Sequence, residues 1–180
     1  NLKKNSEVLL SAVTCSSDLS VILLQGFKPI LVDSAKNSYN VNLEEVKKKI
    51  TSRTRAAILT HAAGEPIKDI KKIAEYLKKK KIFLIEDCSQ AHGAYPKGQK
   101  LKVGNYGNMA AFSMMYRKNI AMGGSGGMVY TRNKKLHLLG MRHADRGAPV
   151  WLKYKLDLRN PGIADFPALN FNTNDLSCAT

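Results

Sequence analysis

Short apolar runs alternate with amphipathic segments along the chain, and this alternation constrains the fold more than any other feature of the sequence. The run Ile82–Ile85 is apolar throughout, which is typical of a strand buried on both faces. Strands separated by single helices form right-handed crossovers in a mostly parallel sheet, so the pattern predicts an α/β fold. Ligands bind such sheets in the loops after the carboxyl ends of the strands. The runs that predict strands are Pro29–Asp33, Ala56–Thr60, Ile82–Ile85, Ala110–Ser113 and Gly127–Thr131.

Three segments beside these runs carry the pattern of amphipathic helices. Asn42 can cap the first helix, because Glu45 follows three residues later as in a capping box. Pro66 suits the first turn of the second helix. A third helix is predicted over Lys134–His143. The apolar residues that share one face are Leu43, Val46 and Ile50 in the first helix and Ile67, Ile70, Ile73, Ala74 and Leu77 in the second.

The net charge of the chain favours an anionic partner without identifying one. Lys and Arg total 29 and Asp and Glu total 14, which gives a formal net charge of +15. A basic module that binds nucleic acid or another polyanion would carry such an excess. The lysines do not alternate with aromatic residues, which make up only 7% of the chain, so a generally lysine-rich composition is the simpler explanation. We therefore expect no nucleic-acid partner.

Membrane-embedded, secreted and disulfide-rich proteins are poor matches to the sequence. No apolar run approaches the roughly 20 residues of a membrane-spanning helix, and the start, Asn1–Glu7, is polar where a secretory signal would be apolar. Cys15, Cys88 and Cys178 lie far apart without a CxxC pair, which argues against a disulfide framework and a zinc site. We expect a cytoplasmic protein with no membrane partner.

Two predicted strand-end loops hold the residues with the clearest chemistry. The loop Glu86–Ala94 begins with two acids directly after an apolar strand, where a buried carboxylate would need a cationic partner. The loop Phe112–Gly127 places Lys118 before a glycine-rich turn, and a lysine in a partly dry site loses basicity and can act as a nucleophile. An acid and a lysine at strand ends suit pyridoxal phosphate chemistry: the lysine forms the Schiff base, and the carboxylate keeps the pyridine nitrogen protonated.

Both loops resemble signature segments of the sugar aminotransferase (DegT/StrS-like) family of fold-type I pyridoxal phosphate enzymes. Glu86–Ala94 matches the family's Glu-Asp-x-Ala-Gln-x-His-Gly-Ala run, with Ser89 in place of one alanine. Phe112–Gly127 matches its Phe-Ser-Phe…Lys-Asn…Gly-Gly-Glu-Gly-Gly stretch, with Met114 for Phe and Ser125 for Glu. The matches follow the family's order and spacing across nearly all of the chain.

Two further segments extend the resemblance, and some features depart from it. His61–Pro66 is similar to the family's His-x-x-Gly-x-Pro loop, and Leu169–Asn172 is similar to its Gly-Tyr-Asn-Tyr-Arg segment, with Asn172 replacing a common arginine. Cys15 occupies the place of an aromatic residue that stacks on the cofactor ring. The chain starts without methionine and stops at Asp175–Thr180, which resembles the opening of a helix, so we expect a fragment of a longer protein.

The resemblance implies a partial large domain of fold type I, a three-layer domain with a mostly parallel sheet. Residues 1–180 would form this pyridoxal phosphate-binding large domain, lacking its N-terminal segment with the phosphate loop and the C-terminal small domain. The implied site residues are catalytic Lys118 as the Schiff-base lysine, Asp87 at the pyridinium nitrogen, Gln90 at the ring hydroxyl, Ser113 at the phosphate, and Asn170 at the phosphate of the neighbouring subunit of a homodimer.

The implied activity is transfer of an amino group from glutamate to a nucleotide-linked keto-sugar, as in polysaccharide biosynthesis. Three alternatives stay open: a sugar dehydratase-like relative, an inactive remnant of the family, and a basic polyanion-binding module. The dehydratase branch resembles the family but has histidine at the Schiff-base position, so Lys118 favours the aminotransferase. His61 and His92 are expected to be structural, and with His143 they lack metal-ligand spacing, so we expect no metal.

Overall fold

A computed structural model describes residues 2–145 together with residues 147, 168, 170 and 171. Its six strands form one sheet in the order β2-β1-β3-β4-β5-β6. All neighbouring strands are parallel except β5 and β6, which are antiparallel. The elements in chain order are β1 (Glu7–Ser11), α1 (Ser16–Leu24), β2 (Lys28–Val32), α2 (Leu43–Lys49), β3 (Thr54–Thr60), a 3₁₀ turn (Ala62–Gly64), α3 (Ile70–Lys79), β4 (Phe83–Asp87), β5 (Met109–Ser113), β6 (Gly127–Tyr130) and α4 (Lys134–Ala144).

Successive residues of β1 pack under different helices, which places the sheet between two helical layers. Leu9 belongs to a core cluster with Val46 of α2 and Ile73 of α3. Leu10 faces the other side and clusters with Ile22 of α1. These side chains are almost fully buried, and each contributes about 2 kcal/mol through the apolar area removed from water. The predicted three-layer α/β fold with a mostly parallel sheet is confirmed.

Asn42 caps α2 as its sequence position predicts. Its side-chain oxygen accepts a hydrogen bond from the backbone N–H of Glu45 at 2.9 Å, which satisfies one of the unpaired donors at the helix start. The prediction for Pro66 is wrong, because α3 begins only at Ile70 and Pro66 lies in the preceding loop. Ile67 is nevertheless fully buried, so the apolar stripe reaches beyond the helix that it predicts.

Two described elements were not predicted from the sequence, β1 and α1. β1 begins with Glu7, a charged residue that is 1% exposed. Its carboxylate accepts hydrogen bonds from Nε and Nη2 of Arg53 at 2.9 and 2.6 Å, and another from the hydroxyl of Thr51. These bonds lower the pKa of Glu7, the Thr51 bond most, followed by that of Arg53. A strand can therefore start at a buried acid here because distant residues satisfy that acid.

Glu86, the penultimate residue of β4, is buried without the cationic partner that its position suggested. His61 accepts the backbone N–H of Ile67 at Nδ1 (2.9 Å), so Nε2 carries the proton that it donates to Glu86 at 3.1 Å. Gly107, Gly104 and Tyr106 each donate a backbone N–H to the same carboxylate. Burial alone would raise the pKa of Glu86, but the bonds from His61 and the glycine amides outweigh it and lower the pKa.

The His61–Glu86 contact is a structural network that ties the ends of β3 and β4 to the loop before β5. Cys88 lies close enough to complete a cluster of potential metal donors with these two residues. The atoms of His61 and Glu86 that could ligate a metal are already engaged in hydrogen bonds. Burial raises the pKa of the Cys88 thiol, so this cluster is a poor cation site. None of the helices in the described part of the chain combines the length and apolar character of a membrane crossing.

Candidate active site

The carboxyl ends of β1, β3, β4 and β5 open onto one cavity of about 470 Å³. In a parallel sheet these ends meet at the same edge, where ligands bind. Four of the five predicted site residues line this cavity, although they come from two separate segments of the chain, one after β4 and one after β5. The lining includes Thr14, Cys15 and Asp18 after β1, Thr60 and Ala63 at the end of β3, Asp87 and Gln90 after β4, and Ser113 and Lys118 after β5.

Asn170 is the predicted site residue that does not line the cavity of its own chain. It is exposed and forms an isolated antiparallel bridge with Asp145, next to the end of α4. Its predicted contact with the cofactor phosphate of a neighbouring subunit stays a prediction. Leu169 and Asn172 of its motif, and the helix opening expected at Asp175–Thr180, lie outside the described residues.

Asp87 is fixed at the last position of β4 and is only 6% exposed. Its Oδ1 accepts the backbone N–H of Ser89 at 2.9 Å and also the Ser89 hydroxyl. Two donors on one oxygen hold the carboxyl group in place. A fixed, buried carboxylate at a strand end is suited to hold a positively charged nitrogen.

Gln90 connects the loop after β4 with the turn after β3. Its side-chain oxygen accepts the backbone N–H of Ala63 at 2.7 Å. Ala63 and Gly64 both have positive φ, 54° and 81°, which directs this turn toward the Gln90 loop. The glycine of the His61–Pro66 motif is needed here, since a Cβ at Gly64 would lie 3.1 Å from the Gln90 carbonyl oxygen.

Lys118 lies on a long turn between β5 and β6 that starts directly after Ser113. Backbone hydrogen bonds cross this turn from Met114 to Gly126 and from Tyr116 to Gly124, each at 2.8 Å. Lys118 itself is partly buried, and its backbone N–H donates to Met115 at 2.9 Å. The turn therefore presents the lysine side chain to the cavity from a tied backbone.

Arg117, which precedes Lys118, gives no evidence of a phosphate site. The guanidinium of Arg117 lies 5.2 Å from the ring centre of Tyr116, and both side chains are exposed. Stacking on an aromatic ring is an ordinary environment for a surface arginine. Neither residue is among those that line the cavity.

Asp18 is a cavity residue that sequence reasoning missed. It lies in the first turn of α1, and its Oδ2 accepts a hydrogen bond from the Thr14 hydroxyl at 2.6 Å. The pKa of Asp18 is raised to about 6, chiefly by burial and also by the neighbouring Asp87, while the Thr14 bond and Lys118 act in the opposite direction. The sequence signal for Asp18 is an acid a few residues after the end of a strand, behind Thr14 and Cys15. That signal can be used only once β1 and α1 have been recognised.

Cys15 lines the cavity at the start of α1, where it is exposed. Hydrogen bonds from the side chain and backbone of Ser17 lower the pKa of its thiol, with Lys118 acting in the same direction and Asp18 against it. The position that the family resemblance assigns to a ring-stacking aromatic therefore belongs to the cavity and holds a small, polarisable side chain here.

The fold assigns the chain to the α/β aminotransferase class. The aminotransferase from Psychrobacter cryohalolentis is similar to it with a TM-score of 0.87 and 27% identity, covering 99% of this chain and 45% of that one. NtdA of Bacillus subtilis, solved with bound cofactor PMP, is similar with a TM-score of 0.74 and 25% identity, covering 86% of this chain and 34% of that one. Within this class, the chain belongs to the DegT/DnrJ/EryC1/StrS aminotransferase family, whose model matches residues 1–180.

A relative with an assigned activity matches most of the chain. GDP-perosamine synthase of Escherichia coli O157:H7 is 32% identical over 157 residues, which cover 87% of this chain and 42% of the relative. The chain thus spans less than half of the length of this relative and of the two solved structures.

Proposed function

We propose that the chain is the cofactor-binding part of a pyridoxal phosphate-dependent aminotransferase that acts on a nucleotide-linked keto-sugar. The observation that carries this proposal is the meeting of Asp87, Ser113 and Lys118, from separate strand ends, in one cavity. The family match and the similarity to a GDP-perosamine synthase support the sugar substrate. Glutamate as the amino donor and a cytoplasmic location remain part of the proposal.

The donor groups of the cavity match the functional groups of pyridoxal phosphate. Asp87 offers a carboxylate for the ring nitrogen, Gln90 an amide for the ring hydroxyl, Ser113 a hydroxyl for the phosphate and Lys118 an amine for the aldehyde. A volume of about 470 Å³ is within the usual range for small-molecule sites. When bound, the cofactor supplies an electron sink for the pair of electrons left when a Cα proton departs.

Asp87 would keep the ring nitrogen protonated. A carboxylate beside a nitrogen base favours the charged form of that base. The two hydrogen bonds from Ser89 hold one carboxylate oxygen, so little reorganisation is needed when positive charge arrives nearby. The carboxylate therefore acts as a fixed electrostatic partner and does not itself move a proton.

Lys118 would hold the cofactor and then move a proton. Its Nζ must be neutral to attack a carbonyl carbon and to accept a proton from the substrate carbon. The side chain reaches the cavity from a backbone that is restrained by hydrogen bonds. This restraint keeps the amine close to the atoms between which it would move a proton.

The complete site would be formed by two subunits. Asn170 of one subunit would contact the cofactor phosphate of its neighbour, beside Ser113. An exposed apolar surface on α1, formed by Val21, Leu23 and Leu24, supports a subunit contact, since side chains of this kind favour association when they are contiguous. We therefore propose a homodimer.

The presence of Lys118 in the cavity supports the aminotransferase over its alternatives. A dehydratase-like relative would carry histidine at this place, and a polyanion-binding module would not need an amine in one cavity with two acids. An inactive remnant would not be expected to keep the lysine, the acid and the hydroxyl in one cavity.

Covalent labelling of the full-length protein tests the proposal. Incubation with pyridoxal phosphate followed by borohydride should attach the cofactor to Lys118 as a stable secondary amine, located by peptide mass spectrometry. Lys118→Ala should lose both the label and the visible absorption of the bound cofactor, whereas Lys97→Ala, at an exposed lysine outside the cavity, should retain both. A label scattered over many lysines would contradict the enzyme and favour the polyanion-binding module.

A further inference from the structure

A second cavity, of about 630 Å³, lies on the α3 side of the sheet and shares no lining residue with the candidate active site. It runs between α3 and the loop before β5, and it reaches Leu84 of β4. Asn108 directly precedes β5, and the Thr131 hydroxyl, just after the antiparallel β6, donates to its carbonyl oxygen at 2.7 Å. The cavity is therefore at the amino end of β5, whereas the candidate active site is at its carboxyl end.

The charges around this cavity are mostly positive. Its charged lining residues are Lys71, Glu75 and Lys78 of α3, Lys100 of the loop before β5, and Arg132 after β6, and we call the cavity the basic groove. Within the described part of the chain, none of the four cations takes part in an ion pair. A concave surface lined by unpaired charges of one sign concentrates the potential and attracts counter-ions. The net charge of +15 makes lysine frequent, but it does not by itself place four cations around one cavity.

The loop side of the basic groove is restrained by hydrogen bonds. Nη2 of Arg132 donates to the carbonyl oxygen of Asn105 at 2.7 Å, and the Tyr106 hydroxyl donates to the carbonyl oxygen of Leu101 at 2.7 Å. The first bond uses one of the five N–H donors of the Arg132 guanidinium. The planar, forked arrangement of such donors matches the oxygen atoms of a phosphate group.

We propose that the basic groove binds a small molecule that carries a diphosphate group. Four cations and one acid leave an excess of three positive charges. A single phosphate monoester carries only about two negative charges near neutral pH, so a diphosphate balances the groove better. The volume of about 630 Å³ is that of a small-molecule site. A single-stranded nucleic acid would instead favour an extended groove in which aromatic side chains alternate with the cations.

This inference does not depend on the proposed function, because the basic groove and the candidate active site have no residue in common. Two neighbouring lysines of α3 provide a matched comparison. Lys78 and Lys79 are both exposed near the end of this helix, but only Lys78 lines the groove. Replacing either with glutamine removes the same charge from the protein, so a difference between the two variants reports the groove and not the total charge.

Calorimetric titration with inorganic diphosphate tests the site. The full-length protein is first loaded with pyridoxal phosphate, so that the proposed phosphate contact of the active site is filled, and low ionic strength limits screening of the exposed charges. Lys78→Gln should weaken binding about fivefold, the effect of one charge at roughly 4 Å in water, whereas Lys79→Gln should stay near the wild type. Glu75→Gln, which removes the acid of the groove, should strengthen binding by a similar factor. Equal weakening in Lys78→Gln and Lys79→Gln, or no binding to the wild type, would overturn the inference.

Two further comparisons locate the bound diphosphate and identify its carrier. Arg132→Gln should lose diphosphate binding and keep the borohydride label on Lys118, while Lys118→Ala should lose the label and keep diphosphate binding. The opposite result for diphosphate would place it in the active site and overturn the inference, whereas loss of the label alone from the wild type would contradict only the proposed function. GDP that binds more tightly than inorganic diphosphate would identify a nucleotide as the carrier, and equal affinities would identify the diphosphate group alone. Binding of an oligodeoxynucleotide or a polyglutamate peptide without binding of diphosphate would overturn the inference in favour of a macromolecular partner.

Discussion

The side-chain oxygen of Gln90 accepts the backbone N–H of Ala63 at 2.7 Å, and this bond joins two loops that carry different parts of the cavity. The Gln90 loop follows Asp87, and the Ala63 turn follows Thr60, so their separation decides the width of the cavity between β3 and β4. The backbone of Ala63 and Gly64 has positive φ, a conformation that is costly for side chains other than glycine. The local sequence therefore holds a strained turn at the edge of the site.

Replacement of Gly64 should loosen this junction. Gly64→Ala would place a Cβ 3.1 Å from the Gln90 carbonyl oxygen, at a φ of 81°. We expect a loss of about 1–2 kcal/mol in the free energy of unfolding from the left-handed conformation alone, measured by urea denaturation, together with weaker binding of pyridoxal phosphate. Gly140→Ala is the matched control, because a Cβ at Gly140 meets open space on α4 and should leave stability unchanged or slightly improved. Equal stability of both variants would contradict a tight junction at Gly64.

The fold could be predicted from the sequence where local pattern and burial agree. The apolar run at Ile82–Ile85 predicts a buried strand, and β4 is found there, one residue displaced at its start and extended to Asp87. β1 could not be predicted in this way, because Glu7 is buried only by virtue of Thr51 and Arg53, more than 40 residues away. α1 carries exposed apolar residues such as Leu24, so it lacks the one-sided stripe that predicts a helix.

The candidate site was also predictable only where local sequence pattern marks a strand end. Asp87 and Lys118 could be predicted because each follows an apolar run that predicts a strand, and the family resemblance gave them roles. Asp18 could not be predicted, since it follows an unpredicted strand and its place in the cavity depends on β1 lying beside β3 in the sheet. Contacts between distant strand ends depend on the order of strands in the sheet, which local sequence patterns do not specify.

Asp87 should be essential for amino transfer and dispensable for cofactor attachment. An uncharged Asp87→Asn side chain keeps an oxygen for the two Ser89 donors but cannot hold the ring nitrogen in its charged form. We expect single-turnover transfer from glutamate to fall by about 100-fold or more, while borohydride still fixes the cofactor to Lys118. Ser89→Ala, which removes only one of the two donors, should lose less. Near-normal turnover in Asp87→Asn would remove Asp87 from the site.

Mixed dimers should reveal whether Asn170 serves a neighbouring subunit. Lys118→Ala and Asn170→Ala should each be inactive alone, because each lacks one part of every site. After subunit exchange, mixed dimers would contain one site with both residues intact. Since about half of randomly formed dimers are mixed, about a quarter of wild-type activity should return. Mass spectrometry can demonstrate that subunits have exchanged. If they have and no activity returns, the result would argue against a shared site.

The raised pKa of Asp18 predicts how the stability of the protein depends on pH. The pKa of Asp18 rises from an ordinary value of 3.8 to about 6 on folding, so between these values the folded protein binds a proton more tightly than the unfolded chain. Stability should therefore fall as pH increases from about 4 to 6 and stay lower above that window. The full shift corresponds to about 3 kcal/mol, which screening of a partly exposed carboxyl group reduces to about 1–2 kcal/mol. Asp18→Asn removes the titrating group, so at pH 7 it should be more stable than the wild type, whereas Glu75→Gln should not be. Urea denaturation at several pH values measures the difference, and parallel curves for Asp18→Asn and the wild type would show that Asp18 ionises as freely in the folded protein as in the unfolded chain.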